Sequence, residues 1–278
     1  MTDTFLRSCK HWSEANRTEM EAFYTLASID YKYLAEAFDW KKWLETLQND
    51  VGNRKLKILD VACGSGKFPL ALNQYSQISE AKISPVEYSL LDPSSFSISE
   101  TRKVLPPPFI ASNEFETTLQ EFKCVRDCFD IVWATHALYA VPKNQLEIAL
   151  KRFVYGMCKV GFIAHATDNS HYLRFYNHYL EGFKGGLGEQ YSSAKQIIQI
   201  LTKLDIPYRV EKISYENCVP EGSLSQVEGY LQRCVFDDTI NLDAMRKNIS
   251  TGPYLDNCLD NGKWHFNQEV MLIFLSKA

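Results

Sequence analysis

An apolar run that closes on an acid and then a spaced glycine pair constrains this chain most: Ile58-Leu-Asp-Val-Ala-Cys-Gly-Ser-Gly66. The run reads as a buried strand, and a helical pattern begins at Lys67. Glycines at 64 and 66 let the backbone turn sharply and come close to a ligand. Asp60 then lies near the carboxyl end of a strand, where open α/β sheets bind ligands. The run is not a phosphate loop, because no Gly-Lys-Ser/Thr ending follows. It also lacks the third glycine of the dinucleotide fingerprint. A plain strand-to-helix turn is the competing reading.

The rest of the pattern alternates strands with helices. Strands are expected at Lys57–Ala62, Val86–Leu91, Phe109–Ser112, Phe129–Thr135, Val160–His165, Tyr208–Ile213 and Glu269–Leu275. Helical spacing is expected over residues 11–48, after Gly66, after Ser94, over Leu146–Cys158 and over Lys195–Leu204. That rhythm predicts an α/β fold: a doubly wound, mainly parallel, seven-stranded sheet, Rossmann-like, whose last strand inserts antiparallel. Residues 1–54 are expected to form an N-terminal helical cap, and 55–278 the α/β domain, with 216–268 a substrate-side insertion.

Three further strand ends carry chemistry. Asp92, 26 residues after Gly66, ends the second strand. There an acid either accepts both hydroxyls of a ribose or caps the next helix. The loop Asn113-Glu114-Phe115-Glu116 follows the third strand, and offers either an acceptor for an adenine amino group or plain solvated acids. Thr135-His136-Ala-Leu-Tyr139 follows the fourth, above the centre of the sheet. His136 titrates near neutrality when unperturbed, so it is a candidate hydrogen-bonding group or base; a packed histidine is the alternative. Tyr139 is a pocket wall or a core aromatic.

Composition excludes several classes. The net charge of -4 and the lack of a long basic run argue against nucleic acid. No apolar stretch approaches ~18 residues, so no membrane span is expected. Eight scattered cysteines and no export signal at Met1-Thr-Asp-Thr-Phe5 suggest reduced thiols in a cytoplasmic protein. His171 and His178 are too widely spaced for a metal pair, and no metal is expected.

In their order and spacing, Asp60-x-x-x-Gly64-x-Gly66, Asp92 and Phe129–His136 resemble the class I S-adenosylmethionine-dependent methyltransferases. The likeness covers roughly residues 55–215 and the closing strand. It implies S-adenosylmethionine as cofactor, held by Asp60, Gly64, Ser65, Gly66, Asp92, Pro93, Ser94, Glu116 and Thr135. A narrower likeness is to the histamine N-methyltransferase branch, through Tyr88-Ser-Leu-Leu-Asp-Pro-Ser94, Phe129–Val141, Ser28-Ile-Asp30 and Trp264-His-Phe-Asn-Gln268. That branch implies an acceptor amine held by Asp30 and Gln268. His136 stands where the branch has a glutamine, Asp30 is shorter than its glutamate, and Gln268 replaces an asparagine. Tyr24, Tyr139 and Asn267 are expected in the acceptor pocket.

The implied partner is a small-molecule methyl acceptor, and the implied state a monomer or homodimer. N-methylation of an amine or imidazole, O-methylation of a phenol, and cofactor binding without turnover remain as readings. Of the three, only phenol chemistry calls for a strong base.

Overall fold

A computed structural model describes residues 3–277. The first two residues of the expected cap and the last residue of the expected α/β domain lie outside that range. In chain order the helices and strands are α1 (Asp3–His11), α2 (Arg17–Glu36), α3 (Trp40–Val51), β1 (Lys57–Val61), α4 (Lys67–Ser76), β2 (Val86–Asp92), α5 (Ser95–Val104) and β3 (Phe109–Glu116). They continue with β4 (Phe129–Thr135), α6 (Lys143–Gly156), β5 (Met157–Ala166), α7 (His171–Lys184), α8 (Ala194–Lys203) and β6 (Tyr208–Pro220). The chain closes with α9 (Leu224–Val235), α10 (Leu242–Lys247), α11 (Thr251–Asp256), β7 (Leu259–Asp260) and β8 (Lys263–Ser276).

The principal sheet runs β3-β2-β1-β4-β5-β8-β6, with the two-residue β7 paired to β8. Pairings among β1 to β5 are parallel, and β8 runs antiparallel to both β5 and β6. This is the expected doubly wound, seven-stranded sheet with its last strand reversed. Every residue of β4 is buried, as a central strand covered on both faces requires.

Local chemistry sets the boundaries. Asp39 caps α3 by accepting the Lys42 N–H at 3.0 Å, and Ser94 caps α5 by accepting that of Ser97 at 3.3 Å. Ser193 and Gln196 form a capping box at the start of α8. Gly66 enters α4 at φ +70, and an added Cβ there would lie 2.8 Å from Val104 Cγ2. This glycine therefore lets α5 close against the turn.

Helices cover both faces. One core joins Leu34, Trp40 and Leu44 of α2 and α3 to Ile58, Trp133 and Phe162 of the sheet. The other places Leu146, Leu150 and Phe153 of α6 and Ile197 of α8 against Val132 and Ile163. A third core, rich in tyrosine, lies beyond the strand ends among α2, α7, α9 and the far part of β6 and β8.

That far part corrects the expected strand boundaries. β6 runs on to Pro220 and β8 begins at Lys263, so their ladder continues from Tyr208↔Leu275 to Pro220↔Lys263. It outreaches β5, whose pairing with β8 stops at Ala166↔Val270. A two-stranded arm thus rises past the sheet rim, and α9 to α11 fold between its strands in sequence. The period-two alternation of Tyr215, Asn217, Val219 and Trp264, Phe266, Gln268 on the buried face carries the signal for this extension.

Candidate active site

The carboxyl ends of β1, β2 and β4 open into one cavity, roofed by α1, α2, α7 and α9. Its space is about 1320 Å³ including the open mouth. Of the expected site residues, the cavity brings together Tyr24, Asp30, Gly64, Asp92, Pro93, Ser94, Thr135, His136 and Tyr139.

The first half of the cavity is a turn. Gly64 has φ +56, and a Cβ there would stand 3.8 Å from the Tyr24 hydroxyl. The bare glycine leaves the backbone open to the cavity. Asp92 is 5% exposed; its Oδ2 accepts the Gly64 N–H at 3.1 Å and its Oδ1 the Ser94 N–H at 2.9 Å. Burial pushes its carboxyl up to about 6, while the Ser94 and Gly64 amides favour the charged form. Each oxygen keeps a lone pair for a ligand hydroxyl. Asp92 therefore ties the β1 turn to the β2 end and still faces the cavity.

Asp60 sits deeper, off the cavity wall. Tyr88 Oη donates to it at 2.7 Å, and Trp133 Nε1 donates to that hydroxyl at 3.1 Å. Burial pushes the Asp60 carboxyl up to about 7. Ser65 and Gly66 likewise lie within the turn and do not line the cavity. Glu116 pairs in register with Asp92 but is exposed at the rim; Thr118, Leu119 and Gln120 form the adjoining wall. Phe115 packs against Phe122 at 4.9 Å, in the core below.

The second half is built from side chains. Asp30 of α2 is 3% exposed and accepts hydrogen bonds from the Tyr172 hydroxyl and, at 3.3 Å, from Asn217 Nδ2. Burial pushes it up to about 7, with the bonds from Tyr172 and Asn217 opposing. Asn217 also reaches Tyr230 Oη at 3.4 Å, and Gln268 Nε2 donates to the same hydroxyl at 3.2 Å. Asp30 and Gln268 are thus linked through Asn217 and Tyr230, with only Asp30 on the cavity wall. The oxygens Asn217 Oδ1 and Gln268 Oε1 are buried without partners.

Asn267 is exposed on the opposite face of the arm, because side chains alternate along a strand. It therefore takes no part in the cavity. Asn217 and Tyr230 are the residues sequence reasoning missed. Only the alternation at Tyr215-x-Asn217-x-Val219 marks Asn217 as an inward polar residue.

His136 holds φ +53, a left-handed backbone conformation uncommon for residues other than glycine, at the end of β4. Its Nδ1 lies 2.6 Å from Tyr139 Oη, and that hydroxyl also accepts the Ala166 N–H at 3.2 Å. Burial pushes the imidazole down to about 3, so the ring is neutral. Nε2 is buried without a partner. Tyr139 already accepts from Ala166, and Nδ1 is the acceptor in reach of its own proton. The network accordingly assigns the ring proton to Nε2. Around these groups the walls are aromatic: Tyr31 stands edge-on to His136, and Phe23 stacks on Tyr230 at 5.7 Å.

No protein-family model and no curated protein matches the sequence. Among solved structures, the chain is similar to magnesium protoporphyrin IX methyltransferase from Synechocystis PCC 6803 with bound SAH. The TM-score is 0.56 and the identity 10%, over 99% of this chain and 100% of that one. It is also similar to the YcgJ protein of Bacillus subtilis, at TM-score 0.51 and 13% identity over 84% and 96%. A third similar structure is the plantazolicin methyltransferase BpumL with SAH, at 0.50 and 12% over 99% and 96%. These likenesses establish the fold, the Rossmann-like fold of the class I methyltransferases. No helix among the described residues is long and apolar enough to cross a membrane.

Proposed function

We propose that this chain transfers a methyl group from S-adenosylmethionine to a nitrogen of a small amine or imidazole compound. The observation that carries the reading is Asp30, a carboxylate buried in an aromatic cavity that also holds the Gly64–Asp92 turn. S-adenosylmethionine, when bound, supplies a methyl group already activated on a sulfonium.

The residues present fit that cofactor. Asp92 has lone pairs free for the ribose hydroxyls, Gly64 leaves backbone open beside it, and Ser94 and Thr135 border the same space. The chain's main task is alignment and exclusion of water, worth on the order of 7–11 kcal/mol in well-oriented systems. The helices α1 and α2 roof the cavity and serve the second purpose.

Asp30 suits a cationic or N–H-bearing acceptor. Ionised, it pairs with an ammonium and is desolvated already by the protein; near its raised pKa it can also accept a proton from the nitrogen. The surrounding rings favour the same charge. His136, neutral and protonated at Nε2, presents a donor. It reads a lone pair on the acceptor molecule away from the attacking nitrogen. This assignment disfavours a phenolic acceptor, which would ask His136 to take a proton.

Transfer of a labelled methyl group to a panel of arylalkylamines, imidazoles and phenols tests the reading. Label on nitrogen in the first two groups is expected. Label on phenols alone would replace the reading with O-methylation. No label on any acceptor, together with tight binding of S-adenosylhomocysteine, would leave a cofactor-binding protein without turnover.

A further inference from the structure

The arm that carries Asn217 on its inner face carries a different set of side chains on its outer face. Cys218 of β6 and His265 of β8 are directly opposed in register, so their Cβ atoms stand roughly 4.5–5.5 Å apart. Glu216, two residues before Cys218, projects from the same face, and its Oε2 lies 2.8 Å from His265 Nδ1. One donor atom from each of the three residues lies within 4.8 Å of the others. Cys218 is exposed, and Glu216 and His265 are partly so.

We propose that this outer face binds a thiophilic divalent cation, Zn²⁺ above all, through Cys218, His265 and Glu216. A thiolate, an imidazole and a carboxylate form a donor set suited to zinc, with the fourth tetrahedral position left to water. Zinc bonds of ~2.0–2.3 Å hold tetrahedral ligands roughly 3.3–3.8 Å apart. Rotation of the Glu216 and Cys218 side chains closes the set to that size, with the backbone fixed by the β6–β8 ladder. The exposed thiol is open to an ion arriving from solvent.

The position gives the ion a mechanical role. Asn217, between Glu216 and Cys218, points inward and donates to Asp30. A metal bridging Cys218 and His265 clips the free edge strand β6 to β8 directly behind that contact. His265 comes 47 residues after Cys218 and 49 after Glu216, which is why spacing along the chain does not reveal the set.

The test uses the full-length reduced protein, stripped with a chelator and titrated with Co²⁺ under anaerobic conditions. One equivalent should give a thiolate-to-cobalt charge-transfer band in the near ultraviolet and intense tetrahedral d–d absorption. Zn²⁺ should then displace the cobalt. Cys218→Ser should abolish the charge-transfer band, whereas Cys158→Ser should not. His265→Asn and Glu216→Gln should each weaken binding on the order of tenfold or more. Zn²⁺ should also slow alkylation of Cys218 in mapped peptides. Absence of the band at stoichiometric cobalt, its survival in Cys218→Ser, or unprotected Cys218 would each overturn the proposal. None of these readouts depends on methyl transfer.

Discussion

The two halves of the cavity are made in opposite ways. On one side, the β1 turn and the β2 end are joined by backbone: Asp92 accepts the amides of Gly64 and Ser94, and the segment from Asp60 to Ser94 contains the whole arrangement. On the other side, Asp30, His136, Tyr172, Asn217 and Tyr230 come from five separate elements and meet through side chains. Backbone turns recur wherever the same moiety must be gripped, because glycine and strand geometry fix them. A side-chain cluster can be rebuilt without disturbing the sheet. Under the proposed function, the first half would serve the shared chemistry and the second the choice of acceptor.

The sharpest break between the halves is expected at Asp30. Asp30→Asn keeps the shape and the bond from Tyr172 but removes the charge. Turnover with an amine should fall on the order of 100-fold, within the range for loss of a proton-accepting or charge-pairing group. Calorimetric affinity for S-adenosylhomocysteine should stay within about twofold. Equal losses in both measurements would erase the distinction between the halves.

The same residue sets a pH dependence of stability. The folded carboxyls of Asp30 and Asp60 are raised to about 7, and that of Asp92 to about 6, from an ordinary 3.8. A raised acid binds more protons in the folded state than in the unfolded one. Its stabilising contribution is therefore complete below about pH 4 and is lost as pH rises through 6–7. Ligand-free protein should lose on the order of 2 kcal/mol per such group between pH 5 and pH 8. Urea unfolding of Asp30→Asn should show a shallower pH dependence than the wild type by about that amount. An unchanged slope would mean that Asp30 remains ionised in the fold.

Asp92→Ala probes the other half. It removes the carboxylate that would take the ribose hydroxyls and strands the Gly64 and Ser94 amides. Affinity for S-adenosylhomocysteine should fall by more than roughly tenfold, because charge-assisted bonds are lost. The ranking of methyl acceptors should not change. Unaltered affinity would refute the ribose assignment, and an altered ranking would show that the halves are coupled.

The contrast also explains what the sequence revealed. The doubly wound, mainly parallel sheet and its reversed β8 were legible because alternating periods and short connections restrict an α/β chain to few topologies. Gly64, Asp92 and His136 were legible because strand ends at a switch point are where ligands bind. Asp60 was identified as an acid at the right place, but its inward turn toward Tyr88 depends on a tyrosine one strand away. Asn217 was hidden because the strand was read as stopping at Ile213, before the arm begins. Asn267 and Gln268 were read together, and only the phase of the alternation, which the pairing of Tyr215 with Gln268 sets, separates the buried one from the exposed one.

The smallest expected effect lies where the halves adjoin. Tyr139 donates to His136 Nδ1 and accepts from Ala166, and so holds the imidazole in the tautomer that presents Nε2–H. Tyr139→Phe leaves the Ala166 N–H unpaired, at a cost of about 1–3 kcal/mol in stability. It also frees the ring to carry its proton on either nitrogen. Only part of the population then offers a donor, so KM for an acceptor with a lone pair should rise about threefold, with kcat little changed. Nitrogen-15 shifts of His136 should move from the Nε2–H form in the wild type to a mixture in the variant. If the wild-type ring already carries its proton on Nδ1, Nε2 is an acceptor. The cavity would then select an N–H on the methyl acceptor in place of a lone pair, and a phenol would regain its base.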